Sequence, residues 1–249
     1  MSYSSLPGPH RFDVTDETVD AYRAVFDNVQ LVIEMALLPF AMVLAIELVA
    51  LILPGGGIFG RLLAALVSAV GMLIFGTIFV VRWHRFVLLG EAVAGGLVPP
   101  GWSTFLVTSL KLMAIIVVGW IILGFVALLP PHILTMPLTA IGGIALTLGS
   151  MRVSLIFPAA AIERPIGFVT ASNLIAGNFW RLFVCLVMCY LPFVVAGYIV
   201  IRIGTIFPAL FWIVFQGLQL AVSFVGIAVV AALLSHLYRE IAMEAPPAA

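Results

Sequence analysis

Six continuous apolar runs, parted by short connections, set the limits on what this chain can be. They fall at about 29–53, 62–81, 110–129, 133–157, 182–201 and 208–234. A hydrocarbon core about 30 Å thick is crossed by roughly 20 residues of helix, so each run is one bilayer long. Continuity rather than alternation excludes the strands of a membrane barrel. Hydrophobic residues make up 64% of the 249, charged residues 9%, and mean hydropathy is +1.27. So few charges cannot coat that much apolar surface in water. The expected fold is all-α: a polytopic membrane protein of six transmembrane helices. It divides into an N-terminal segment 1–28 with an amphipathic helix, a transmembrane domain 29–236 and a short tail 237–249.

The basic residues sort by side. Arg11, Arg23, Arg82, Arg85, Lys111, Arg152, Arg164, Arg181 and Arg239 fall on one side of the six runs, and only Arg61 and Arg202 on the other. An excess of Lys and Arg marks cytoplasmic loops. Both termini and the two longer connections, after Val81 and after Phe157, are therefore expected in the cytoplasm, with the chain in a bacterial-type inner membrane. The chain begins polar and acidic, without the basic n-region of a cleavable leader, so the first span is expected to stay as a signal anchor. A formal net charge of zero and a pI near 6.9 leave no nucleic-acid footprint. Cys185 and Cys189 lie inside an apolar run, which is not a secreted disulfide framework.

A unit repeats along the chain. Ahead of the first span, TVDAYRAVFDNVQLV sets Val19, Tyr22, Phe26 and Val29 at helical spacing, with Thr15 or Asp16 as the expected cap. Ahead of the fifth, IGFVTASNLIAGNFWRLF repeats the period with Phe168, Ala171, Ile175 and Phe179. Ala21 aligns with Ala171, and Asn28 with Asn178, at one constant offset. GGLVPPGWSTFLVTSLKLM, ahead of the third span, is a weaker copy with Trp102 and Lys111 at its ends. The second, fourth and sixth spans leave through VVRWHRF, SMRVSLI and LSHLYRE, which set Arg82, Arg152 or His236 at the inner lip. The expected arrangement is three hairpins in parallel repeat, each led by an amphipathic segment in the cytoplasmic interface. Trp102, Asn178, Trp180 and Arg181 are the expected interfacial anchors.

The stretch MRVSLIFPAAAIERPIGFVTASNLIAGNFWRLF resembles the signature of bacterial six-span proteins related to the membrane domain of glycerophosphoryl diester phosphodiesterases. In that pattern an Arg leads into a Pro-Ala-rich inner exit; a short helix with Ala-Ser, a Gly-Asn pair and an aromatic-Arg pair follow. Arg152, Pro158, Ala171, Ser172, Gly177, Asn178, Trp180 and Arg181 occupy those places. RFDVT…AYRAVFDN is similar to the family's leading segment. In fused relatives the hydrolase is a separate soluble domain, and none is seen here. The resemblance thus implies a fold and a membrane role, not an activity.

Glu34 and Glu47 are the most unusual residues, because a carboxylate inside a span costs a few kcal/mol or more. Thirteen positions apart, they stand about 20 Å apart along one helix and cannot share a proton or a metal. Glu34 is expected to face protein near Arg82, His84, Arg85 and Arg152, and Glu47 near Arg61, His132 and Arg202. Structural ion pairs or protonated carboxyls explain them better than a relay, since one carboxylate per level makes no path. Cys185, Met188 and Cys189 share a helix face that suits a thiophilic metal, yet such residues pack ordinary apolar helices far more often. His84 and His236, with Glu91 near in sequence, form no multi-ligand motif, and PGGGIFGR lacks the Lys-Ser/Thr of a phosphate-binding loop. No metal or cofactor is expected. Pro39 and Pro192 are expected to loosen their spans, and Thr139/Gly143 and Ala145/Gly149 to permit close helix packing.

The expected function is non-enzymatic: an accessory, scaffold or lipid-associated membrane factor. Its expected partners are membrane lipids and a protein on the cytoplasmic face. The rival is a transporter of a small solute or lipid, with a polar site near Glu34 in a cavity shared by several spans. An intramembrane enzyme ranks last, because it needs clustered titratable groups that the sequence does not show.

Overall fold

The computed structural model describes residues 12–52, 57–91, 96–130, 132–206 and 212–243. All regular structure among them is helical, and six helices are long and apolar enough to cross a membrane. In chain order these residues form α1 (Val14–Phe26), α2 (Val29–Ile52), α3 (Ile58–Gly71), α4 (Thr77–Leu89), α5 (Trp102–Ala127), α6 (His132–Arg152), α7 (Ile156–Ala161), α8 (Phe168–Leu174), α9 (Phe179–Gly204) and α10 (Trp212–Tyr238). A π-helical turn, Met72–Gly76, joins α3 to α4 as one continuous span, and another, Arg239–Met243, extends α10.

Several span limits differ from those read in the sequence. The second span runs on past Val81 to Leu89 because Trp83, His84 and Leu88 are buried, so VVRWHRF belongs to the bundle rather than to a loop. The third begins at Trp102: GWSTFLVTSLK is the first part of α5, not a separate surface segment. The fourth stops at Arg152, and Phe157 falls in the separate helix α7. The sixth continues beyond Leu234 to Tyr238, and its expected start at Pro208 lies outside the described residues, as does Leu53 of the first.

Packing is uneven. α10 lies against α9, α1, α4, α2 and α7. Of the most apolar stretch of each span, 44% is buried in the sixth but only 6% in the third and 11% in the fourth. Lipid tails solvate Leu as well as another Leu does, so close fit must hold such helices together. α10 supplies it with small residues: Ala228, Ala231 and Ala232 are buried, and Ser235 with them. α5 and α6 interlock chiefly with each other; a Cβ on Gly142 would stand 2.4 Å from Leu123, and one on Gly119 2.8 Å from Leu146.

α1 is capped by Asp13, whose carboxylate accepts from the amides of Thr15 (2.7 Å) and Asp16 (3.3 Å), rather than by Thr15 or Asp16 themselves. It docks through Thr18, Ala21 and Val25, while Val19 and Phe26 of the expected apolar stripe stay exposed. Its seat on α9 follows from Pro192. That proline has no N–H for the carbonyl of Met188 one turn earlier. The Tyr22 hydroxyl donates there instead, 3.2 Å from the carbonyl oxygens of both Met188 and Cys189. The constant offset seen in sequence is physical: Ala21 and Ala171, Val25 and Ile175, Val32 and Leu182, and Met35 and Cys185 are all buried. At both breaks the asparagine carbonyl starts the next helix, accepting from Val32 N at Asn28 and from Leu182 N at Asn178, each at 3.0 Å.

The leading segments lean on the spans that precede them in cyclic order. α1 packs on α9 and α10. The carbonyls of Gly96 and Leu97 accept from Arg82 of α4, and the Trp102 indole donates to Thr77 Oγ1 at 3.0 Å. Ala171 of α8 is buried with Leu112 of α5 and Ile156 of α7.

Candidate functional site at the basic end of the bundle

The end of α4 and the last turns of α10 form a tightly satisfied polar core. His84 is buried, with Nδ1 2.7 Å from Ser235 Oγ. That hydroxyl donates to the Ala231 carbonyl at 2.8 Å, so the histidine must donate to it and carry its proton on Nδ1. Trp83 donates from Nε1 to the Ala228 carbonyl at 2.8 Å. These bonds pin α4 to α10 at successive turns, as polar groups away from water must be paired.

Arg85 is the organiser of the surrounding loops. It grips Glu91 with both ends of its guanidinium, Nε to Oε2 at 2.7 Å and Nη2 to Oε1 at 2.8 Å. Nη1 donates to the Ala161 carbonyl at 3.1 Å and lies 3.8 Å from Glu163 Oε2. Glu163 holds φ +60°, a left-handed conformation that favours glycine, at the end of α7. The bonds Arg164 N to Ala159 O (2.9 Å) and Glu163 N to Ala160 O (3.1 Å) close that helix end. Gly101 sits over the same spot at φ +78°, where a Cβ would stand 2.4 Å from the Ala161 oxygen. Arg239 donates to the Val87 carbonyl and Arg181 to that of Phe12, so α10 and α9 each grip the segment beside them.

The sequence candidates divide accordingly. Arg82, His84 and Arg85 do come together at this end, but as structural pins. His236 is half-buried on α10, near Asp20 of α1 and Arg239. Arg152 is exposed and has no hydrogen-bond or ion-pair partner among the described residues. Trp102 and Asn178 are largely buried, Arg181 is partly so, and Trp180 is 67% exposed. Cys185 and Cys189 are free and buried under α1, with the carbonyl of Val14 3.7 Å from Cys185 Sγ. No group of three His, Cys, Asp or Glu suited to a metal occurs among the described residues.

Glu34 corrects the reading of the first span. Its side chain is exposed, and its Oε1 accepts from Gln30 Nε2 at 3.1 Å. Lying just over one turn inside α2, it meets a polar neighbour on its own helix and needs no partner across the bundle. The expected pairing with Arg82, His84, Arg85 or Arg152 is absent, and Arg82, His84 and Arg85 are committed elsewhere. Glu47 accepts from Ser68 Oγ at 3.1 Å, a neutral donor on α3 rather than Arg61 or Arg202; the side chain of His132 lies outside the described residues.

Two features had no clear signal in sequence. Glu17 of α1 is pushed up to about 7 by burial first and then by the facing carboxylate of Glu240, with Asp20 and Asp16 adding to it. Burial of a neutral acid is legible only once α1 is known to dock. The other is a polar notch between α9 and α10, about 320 Å³, where Gln219 lies against Gly197 and the Ser223 hydroxyl donates to the Gln219 carbonyl at 2.9 Å. Its walls come from these two helices alone, whereas a route through the bundle needs several.

Compared with known protein families, curated proteins and solved structures, this six-span chain matches none.

Proposed function

We propose that this integral membrane protein acts without catalysis, as a lipid-associated accessory factor of a bacterial-type inner membrane. Its basic end faces the cytoplasm, binds anionic headgroups and presents α1 and α8 to a protein partner. One observation carries the reading. Lys111, Arg152 and Arg164 are exposed beside α7 and α8 without an acidic partner among the described residues, while Arg82, Arg85 and Arg239 are used up inside the fold. Val169 of α8 and Trp180 at the start of α9 are exposed as well. Free cations beside apolar side chains suit the level where acyl chains meet phosphates. The charge sorting of the loops and the resemblance of 151–183 to membrane domains of phosphodiesterases support the same reading.

The test is purification in native lipid particles, with mass spectrometry of the lipids and proteins retained. The expected result is enrichment of anionic lipid over the bulk membrane, lost when Lys111, Arg152 and Arg164 are together replaced by Gln. Retained composition equal to the bulk contradicts the lipid role. Metal-dependent headgroup release by the pure protein, abolished by one carboxylate substitution, contradicts the absence of catalysis.

A further inference from the structure

We propose that the groove between α6 and α9 holds one anionic phospholipid, its acyl chain along α6 and its phosphate at Arg152. This deepens the lipid-binding reading above and rests on it. The groove encloses about 870 Å³; Met136, Gly143 and Thr147 of α6, Trp120 of α5, and Trp180 and Phe183 of α9 line it. It exists because α6 packs on α5 and leaves its other side uncovered.

The walls suit an acyl chain. The hydroxyls of Thr139 and Thr147 donate to the carbonyls of Met136 and Gly143, each at 2.9 Å, which leaves their methyl groups for the cavity. From Met136 to Leu148 the lining runs twelve residue steps, about 18 Å of helix. That is about the depth of one leaflet of a 30 Å hydrocarbon core. No acidic side chain lines it.

The charge lies at one end. Arg152 follows Leu148 by four residues, on the same face, at the last position of α6. It is exposed and unpaired among the described residues. Its long stem lets the guanidinium reach headgroup level, where its fork matches a phosphate. The exposed indole of Trp180 marks the same level. A zwitterionic headgroup would bring its own ammonium towards this cation. A second copy of the chain would bury Arg152 against a groove with no carboxylate to pair it, at the full cost of an isolated charge.

The test uses the full chain in lipid nanodiscs with phosphatidylglycerol that carries a diazirine on its acyl chain. Crosslinks should concentrate on 136–148 and Trp180, and unlabelled phosphatidylglycerol should compete them away better than phosphatidylcholine. Arg152→Gln should cut that preference about tenfold, the worth of one charge-assisted hydrogen bond. Ala140→Phe, at an exposed lining position, should fill the groove and abolish its crosslinks while all exposed cations remain. If crosslinks spread evenly over exposed faces such as Leu37 and Val194, or persist in Ala140→Phe, the groove is not a site. Should bulk anionic enrichment survive that result, only the groove fails; should enrichment vanish as well, the lipid reading fails with it. Crosslinks from α6 to a second copy would also overturn the proposal.

Discussion

α10 and α5 are almost equally apolar, with mean hydropathies of 2.3 and 2.5 over their most apolar stretches, yet 44% of the one stretch is buried in protein and only 6% of the other. The difference lies in side-chain size and in where the few polar groups fall. α10 offers Ala228, Ala231, Ala232 and Ser235 on adjoining faces, so α4, α7, α9 and α1 all come close, and α4 bonds to its backbone and hydroxyl. α5 turns Ile115, Val118, Trp120, Ile122 and Phe125 outward; its buried side chains, Phe105 and Leu112, fall in its first half, and beyond them Gly119 admits Leu146 of α6. Hydropathy places a helix in the bilayer; small residues and satisfied polar groups decide whether it meets protein there.

Truncation should separate the two regions most strongly. Trp83→Ala removes a buried ring and its bond to the Ala228 carbonyl, and should cost about 3–5 kcal/mol. Ile121→Ala on the bare face of α5 should change stability by no more than about 0.5 kcal/mol. Thermal unfolding in nanodiscs checks both, and equal losses would break the contrast. Gly101→Ala comes next. It forces a side chain onto a left-handed residue and against the Ala161 oxygen, at a cost of about 3 kcal/mol. That loss should loosen α5 and α6 from the core, seen as new protease cuts in the connection before Trp102.

Smaller effects test how α1 is held. Tyr22→Phe deletes the hydroxyl that serves the Met188 carbonyl left open by Pro192, worth about 1 kcal/mol. Alkylation of Cys185 and Cys189, both covered by α1, should then speed up about fivefold. The smallest effect is on pH. Docking raises Glu17 from 4.5 to about 7, so between those values the docked state binds more protons than the released one. Stability of docking is therefore greatest below the lower value and is lost as pH rises through about 7. Cysteine alkylation should be faster at high pH than in a Glu17→Gln control measured at the same pH; a faster reaction at low pH would reverse the sign and contradict the account.

Much of the fold was legible because bilayer length and 3.6-residue periodicity are local properties. The six spans, α1, α8 and the constant offset between their buried faces all came from such patterns. Span ends were less legible. RWHRF reads as a basic loop until Trp83 and His84 find Ala228 and Ser235 on α10. The docking face of α1 is not legible either, because small Thr18 and Ala21 meet protein while larger Val19 and Phe26 stay exposed. Glu34 was misassigned for a related reason. Its depth can be counted along the helix, but depth alone does not choose between a partner across the bundle and Gln30 on the same helix. The organising role of Arg85 depends on Glu91, Ala161 and Glu163, which converge only in three dimensions.

The most direct measurement is carbene labelling of the unaltered protein from a hydrophobic diazirine dissolved in its bilayer, read residue by residue by mass spectrometry. The account predicts heavy labelling around α5 and α6, from Ile115 to Phe125 and from Leu138 to Ile144. It predicts labelling of α1 at Val19 and Phe26 but not at Ala21 or Val25, and almost none from Ala228 to Leu237 on any face of α10. Labelling of α10 over that stretch as strong as that of α5 would contradict it.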